Sequence, residues 1–136
     1  MANGHEPIAD DELLYRRVPV TWFHHSTGLP LHDAFGPNKN RDLTGLSLSR
    51  ARYKTAEQAA LSQQPGKQYY VAVLRALDVR QAGMRIDPRP TADDPSHCEI
   101  PDLRADNYKE TITLERQRRL VELCLRVEGP FPANAT

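Results

Sequence analysis

The sequence predicts a small α+β domain with a central mixed or antiparallel sheet and a long C-terminal amphipathic helix. Residues 69–77, YYVAVLRAL, form a nearly continuous run of apolar, aromatic and β-branched residues, and residues 44–49, TGLSLS, alternate apolar and polar side chains as a half-buried strand does. Residues 108–127 carry apolar side chains at helical spacing. A chain of 136 residues has the length of one domain. We expect this domain at 10–128, with a flexible N-terminus at 1–9 and a flexible tail at 129–136.

The charge composition gives the chain no net charge that would favour a polyanionic partner. Eighteen basic and eighteen acidic residues cancel, so nucleic acid is not the expected partner and any anion site must be a local concentration of charge. The apolar runs are shorter than the roughly 20 residues of a membrane helix, and the polar N-terminus does not resemble a signal peptide. We therefore expect a cytoplasmic protein without a membrane segment, in which Cys98 and Cys124 are free thiols.

The first predicted element is a short strand, LLYRRV at 13–18. Pro19 ends it, which favours a position near one edge of the sheet. Because side chains alternate along a strand, Arg16 and Arg17 should point to opposite faces. Residues 21–44 contain three histidines, glycines and prolines without a sustained period and predict a long loop.

Regular elements follow the strand at 44–49. Thr55 and Gln58 have the spacing of a capping box and predict the start of a helix. The run at 69–77 predicts a central strand covered on both faces. Asp78 and Gly83 have the residue types that begin and end a single helical turn.

The last third of the chain contains a second loop and the C-terminal helix. Four prolines and many acidic residues predict irregular structure at 87–107. The helix at 108–127 is expected to begin at a capping pair, Asn107 and Glu110, and to end at Gly129. Its residues 120, 123, 124 and 127 should pack against the sheet.

The adjacent arginines are the first candidate site residues. Arginine is always charged and presents a fork of donors that fits phosphate or carboxylate. One of the two side chains can be solvated, but the other must face the interior or a cleft, where it needs an anion. That anion is either an internal carboxylate or a bound ligand. We predict that Arg16 faces a cleft and that Arg17 faces solvent or an internal carboxylate.

Serine and carboxylate side chains supply the second group of candidates. Ser47 and Ser49 share one face of their strand, but no G-x-S-x-G motif surrounds them and the sequence shows no activating base, so a nucleophilic serine is disfavoured. In the segment HCEI, Glu99 alternates with Cys98 and is predicted to point into a cleft, although a solvated carboxylate is the alternative. His97 and Cys98 lack the spacing of a metal site, so we predict no metal. The roles of four histidines remain open: His24, His25, His32 and His97.

The order of these segments resembles the NAD-dependent ADP-ribosyltransferase fold, including its compact, toxin-like bacterial branches with an Arg, Ser and Glu arrangement. The similarity covers about residues 13–101: LYR, then GLSLS with the helix TAEQAA, the central strand, and HCEI. It implies that Arg16 holds the phosphate or ribose of NAD, that Ser47 or Ser49 shapes the nicotinamide pocket, and that Glu99 bonds the ribose hydroxyl. Arg16 and Glu99 would be catalytic, and Arg16, Ser47 and Ser49 would bind the cofactor. The Q/E-x-E pair of arginine-modifying members is absent here.

Two alternatives stay open. The chain can be a non-catalytic interaction module, for instance an operon accessory protein, that contacts a protein partner through its C-terminal helix. It can also bind nucleic acid through RQRR at 116–119, but interspersed glutamates reduce any basic stripe.

Overall fold

The computed structural model describes residues 3–61 and 66–132. It contains eight strands and three α-helices in the described part of the chain, with single 3-10 turns at Val20–Trp22, His32–Phe35 and Ala105–Asn107. The elements are β1 (Leu13–Pro19), β2 (Phe23–His24), β3 (Leu29–Pro30), β4 (Leu46–Arg50), α1 (Ala56–Ala59), β5 (Gln68–Arg75), α2 (Ala76–Gln81), β6 (Asp87–Pro88), β7 (His97–Ile100), α3 (Thr111–Leu123) and β8 (Arg126–Pro132).

Six strands form one antiparallel sheet in the order β6-β7-β4-β1-β5-β8, and β2 and β3 pair separately as a hairpin. The domain is thus α+β with an antiparallel sheet, as predicted. The predicted edge position of the first strand is wrong, because β1 lies between β4 and β5. Pro19 is the last residue of β1, where its missing N–H does not interrupt the ladder.

Helices cover the sheet on both faces. α1 packs on one face, where Ala56 and Ala60 meet Tyr69 and Val71. α2 and α3 pack on the other face against the main core, which includes Leu14, Val18, Leu46, Ala72, Leu74, Val79 and Leu120. β5 is buried from both sides, since Val71, Ala72, Val73 and Leu74 are fully buried. This confirms the predicted central strand, although it ends at Arg75, and the helix that follows begins at Ala76 rather than after Asp78.

The C-terminal helix is shorter than predicted. α3 begins after Glu110, whose side chain makes no capping bond, and it ends at Leu123. The backbone N–H of Leu125 donates to the carbonyl of Val73, and the following residues pair with β5 as strand β8. Residues 129–132 therefore belong to the sheet and are not the predicted tail, because β5 offers them an open edge. Residues 133–136 lie outside the described residues.

The N-terminal segment, where a flexible start was predicted, makes contacts with the domain. The guanidinium of Arg50 is fully buried, pairs with both carboxylate oxygens of Glu12 at 2.8 and 2.9 Å, and donates to the carbonyls of Gly4 and Glu6 at 3.1 and 3.0 Å. Ile8 is also buried in the main core. Residues 1–2 lie outside the described residues.

Both cysteines are free thiols. Cys98 is fully buried on the core side of β7, and burial raises the pKa of its thiol to about 12. Cys124 is half-buried where α3 ends, and it packs against the main core. In the described part of the chain, we find no helix with the length and apolar character needed to span a membrane.

Val73→Asp should abolish folding. Val73 is fully buried in β5, so the substitution places an unpaired carboxylate between two packed layers, at a cost of several kcal/mol. Circular dichroism and urea unfolding measure the effect, and Gln68→Asp at the exposed start of the same strand is the matched control. A cooperatively folded Val73→Asp protein with unchanged stability would contradict the placement of β5.

Glu6→Gln should reduce the dependence of stability on pH in acid. The hydrogen bond from the Tyr53 hydroxyl lowers the pKa of Glu6, and Arg50 and Arg52 add to this effect against the opposing effect of burial. A lowered folded-state pKa stabilises the fold above the unfolded pKa of about 4.3, and this contribution is lost as the pH falls through the folded pKa.

Urea unfolding between about pH 6 and pH 2 tests this expectation. The stability of the wild-type protein should fall more steeply than that of Glu6→Gln over this range. Parallel curves for the two proteins would show that Glu6 makes no such contribution.

Candidate functional site

The candidate site forms where β1 and β4 part. The two strands pair at Leu14 with Arg50 and at Tyr15 with Ser49. A continued ladder would place Arg17 opposite Ser47, but the pairing stops before that point although both strands continue. A pocket opens in this gap between the two strands.

Arg16 fills the base of the gap. Its Nη1 donates to the carbonyl of Ser47 at 2.9 Å, and its Nε donates to the carbonyl of Ala34 at 2.8 Å. These bonds join β4 and the turn at 32–35 to β1. Burial lowers the pKa of Arg16 and the neighbouring Arg17 adds to this shift, whereas the carboxylate of Asp42 opposes it. Among the described residues, the direct partners of the Arg16 guanidinium are these backbone carbonyls, and Asp42 acts on it only as a nearby charge.

The pocket has a cavity volume of about 470 Å³ and a basic lining. Among the lining residues that the structure describes, four basic side chains stand against one carboxylate, Asp42. Arg17 lies with its guanidinium 4.7 Å from the Tyr69 ring centroid, and its Nη1 donates to the carbonyl of Leu61 at 2.5 Å. The remaining lining combines aromatic, polar and aliphatic residues. The basic residues are Arg16, Arg17, Arg41 and Lys54, and the others include Tyr15, Trp22, Asn38, Ser47, Ser49, Gln58, Tyr69 and His97.

One wall of the pocket is built from cross-strand pairs between β4 and β7. Ser47 is opposite Glu99, and Ser49 is opposite His97. The backbone N–H of Arg50 donates to the carbonyl of Ser96, which makes both of these pairs the non-hydrogen-bonded type. Side chains approach each other most closely in such pairs, so two hydroxyls, an imidazole and a carboxylate form one polar patch.

Glu99 is the centre of the hydrogen bonds in this patch. Its Oε1 accepts from the Thr44 hydroxyl at 2.6 Å, and its Oε2 lies 3.1 Å from Nε2 of His97. Arg89 Nε lies 3.8 Å from Oε1. An ionised carboxylate only accepts, so Nε2 of His97 carries the hydrogen, and in the neutral imidazole Nδ1 then has the lone pair.

A glycine allows β4 to approach β7 at this wall. A Cβ atom on Gly45 would lie 2.9 Å from the Cβ of Glu99 and 2.9 Å from the carbonyl oxygen of Ile100. The second contact is with backbone and cannot be relieved by a side-chain rotation. Gly45 is therefore required for the pairing that places Glu99 opposite Ser47.

At the far end of the wall, Lys54 is fixed by Asp94. Its Nζ lies 2.9 Å from Oδ2 of that carboxylate. Burial acts to raise the pKa of Asp94, but the hydrogen bonds from Ser96 and Lys54 outweigh it, so the pKa lies below its usual value. The ion pair holds the ammonium group at the pocket.

The structure brings the predicted site residues to one region. Arg16, Ser47 and Ser49 line the pocket, Arg17 lines it too, and Glu99 adjoins it through His97. His24 and His25 are exposed in the hairpin and its turn, and His32 lies beside Asp33, so these three are not among the described lining residues.

Sequence reasoning missed several pocket residues. Trp22, Arg41, Asp42 and Lys54 come from loops and turns without a motif, and no sequence signal identifies them. His97 has a signal, because an H-x-E spacing on a strand places both side chains on one face. Among the residues that the structure describes, no group of three or more His, Cys, Asp or Glu side chains is placed to hold a metal ion.

Arg16→Ala should destabilise the domain more than Arg17→Ala. Loss of Arg16 leaves two backbone carbonyls without their donors and should lower the free energy of unfolding by about 2–4 kcal/mol. Within residues 3–61 and 66–132, Arg17 makes one side-chain hydrogen bond, which is exposed, so its loss should cost about 1 kcal/mol or less. Urea unfolding of both variants measures the difference. Equal losses would show that Arg16 does not hold the gap together.

The chain matches no protein-family model, no curated protein and no solved structure.

Proposed function

We propose that this domain binds NAD and cleaves the bond between nicotinamide and ribose, transferring ADP-ribose to water or to another acceptor. One observation carries the proposal: the basic pocket at the β1–β4 gap shares a wall with the Ser47, Ser49, His97 and Glu99 patch. A phosphate-bearing ligand in this pocket would therefore lie beside a carboxylate and an imidazole. The non-catalytic interaction module becomes the preferred hypothesis if NAD does not bind.

The pyrophosphate of NAD suits the cations of the pocket. Arginine forms bidentate bonds to phosphate, and lysine acts as a point charge. Arg16 is committed to carbonyls, so we assign the phosphate contacts mainly to Arg17, Arg41 and Lys54, with Arg16 supplying charge from below. A cavity of about 470 Å³ lies within the range of small-molecule sites.

The reactive end of NAD suits the polar wall. Departure of nicotinamide develops positive charge on the ribose ring, and the polar groups of this wall can hold a water molecule that attacks the ribose carbon. Glu99 is held in place by Thr44 and His97. Tyr15 and Trp22 add aromatic surface on which a planar base can stack.

Titration calorimetry with NAD and a nicotinamide-release assay test the proposal. The wild-type protein should bind NAD and release nicotinamide, and Arg17→Ala should weaken NAD binding by about 10-fold to 150-fold, the range for loss of a charged hydrogen bond. Arg118→Ala, an exposed arginine of α3 on the opposite face of the sheet, is the matched control and should bind as the wild type does. A wild-type protein that neither binds millimolar NAD nor releases nicotinamide would overturn the proposed function.

A further inference from the structure

We infer that His97 is the catalytic base of this pocket and that Glu99 acts through it as a positioning residue. The inference rests on the proposed function and changes the role that the resemblance gives to Glu99. The resemblance implies that the carboxylate itself bonds the ribose hydroxyl. In this structure the imidazole lines the pocket, and the carboxylate lies behind it.

The difference in exposure supports this assignment. The side chain of His97 is 27% exposed and lines the pocket, whereas that of Glu99 is 11% exposed and is not among the lining residues. Both oxygens of Glu99 have partners, Thr44 on Oε1 and His97 on Oε2. These two bonds hold the carboxylate against Thr44 and His97, and its low exposure leaves it less accessible to a substrate hydroxyl than the imidazole.

The hydrogen-bond direction supports a base. Glu99 accepts from Nε2 of His97 and so fixes the tautomer in which Nδ1 has a free lone pair. The nearby negative charge also stabilises the imidazolium that forms when Nδ1 takes a proton. Ser49, directly across from His97 on β4, offers a hydroxyl that can orient a water molecule beside the ring.

The reaction balances with water as the only co-reactant. The bond between the ribose carbon and the nicotinamide nitrogen breaks, and its electron pair neutralises the positive charge of the pyridinium ring. A water oxygen forms the new bond to the ribose carbon, and Nδ1 of His97 accepts the water proton, which then passes to solvent. ADP-ribose, nicotinamide and one proton are released.

A nucleophile that carries no proton distinguishes two possible roles of a residue. The residue can be a base that deprotonates the attacking water, or it can stabilise the positive charge of the transition state. Azide attacks the ribose carbon as an anion and needs no deprotonation. A variant that lacks only the base should therefore lose hydrolysis and keep transfer to azide. A variant that lacks stabilisation of the ribose charge should lose both reactions.

The experiment compares His97→Ala, His97→Gln and Glu99→Gln with the wild type. Nicotinamide release and ADP-ribosyl azide formation are measured with and without azide, with NAD affinity by calorimetry and folding by thermal unfolding. We expect kcat for hydrolysis to fall about 100-fold or more in all three variants, because general base catalysis contributes at least this factor. Azide transfer and NAD affinity should stay within about threefold of the wild type. The Gln variant keeps a side chain of similar size if the Ala variant is unstable.

The outcomes separate the inference from the proposed function. Hydrolysis that persists in folded His97 variants would overturn the inference and leave the proposed function standing. If Glu99→Gln lost azide transfer as well as hydrolysis, the inference would also be overturned, because the carboxylate would then act directly on the ribose charge. A wild-type protein that releases no nicotinamide would overturn both.

Discussion

The pocket depends on the bridge that Arg16 makes across the parted strands β1 and β4. Strands that separate inside a sheet leave backbone carbonyls without ladder partners, and an unpaired buried carbonyl is costly. Arg16 donates from Nε to the carbonyl of Ala34 and from Nη1 to the carbonyl of Ser47. The directions of these two donors are fixed because both belong to one planar guanidinium. A lysine has a single nitrogen on a flexible chain and could not hold both acceptors in the same way. The gap is therefore stabilised by a charged group, and that charge faces the cavity that the gap creates.

Strand alternation divides the chemistry of β4 and β7 between two environments. Leu46, Leu48 and Arg50 of β4 are buried with Cys98 of β7 on the core side, while the serines, His97 and Glu99 lie on the other side. Burial keeps the Cys98 thiol protonated at neutral pH, so the core side offers no nucleophile. The ion pair of Arg50 with Glu12 fixes the end of β4 near β1. Contacts on the core side of β4 therefore fix the position of its opposite face, which carries Ser47 and Ser49.

The elements predicted correctly are those whose signal is local. The capping box of Thr55 and Gln58, the alternation of β4 and the apolar run of β5 are each specified by a few consecutive residues, and each is present. Apart from the starts of α2 and α3, the errors concern long-range pairing. The central place of β1 and the strand β8 depend on partners that are distant in sequence, and helical periodicity in 108–127 concealed the change to a strand after Leu123. For the same reason the sequence did not identify Asp42 and Lys54 as pocket residues, because only the tertiary structure brings them to the pocket.

The chain has no net charge, but its pocket is lined by several basic side chains, and this local charge bears on the ligands that the proposed function requires. A polyanion is attracted by charge spread along a surface, and the overall balance of this chain, with glutamates among the basic residues of α3, does not provide that. The cations of the pocket are instead gathered in one cavity, and Lys54 and Arg16 are held there by a carboxylate and by carbonyls. Ligand charge must therefore be compact enough to enter the cavity. A ligand with one pyrophosphate group and a planar base at each end has its negative charge at the centre, where cations can meet it. Its uncharged groups would then reach the aromatic lining and the wall that carries His97.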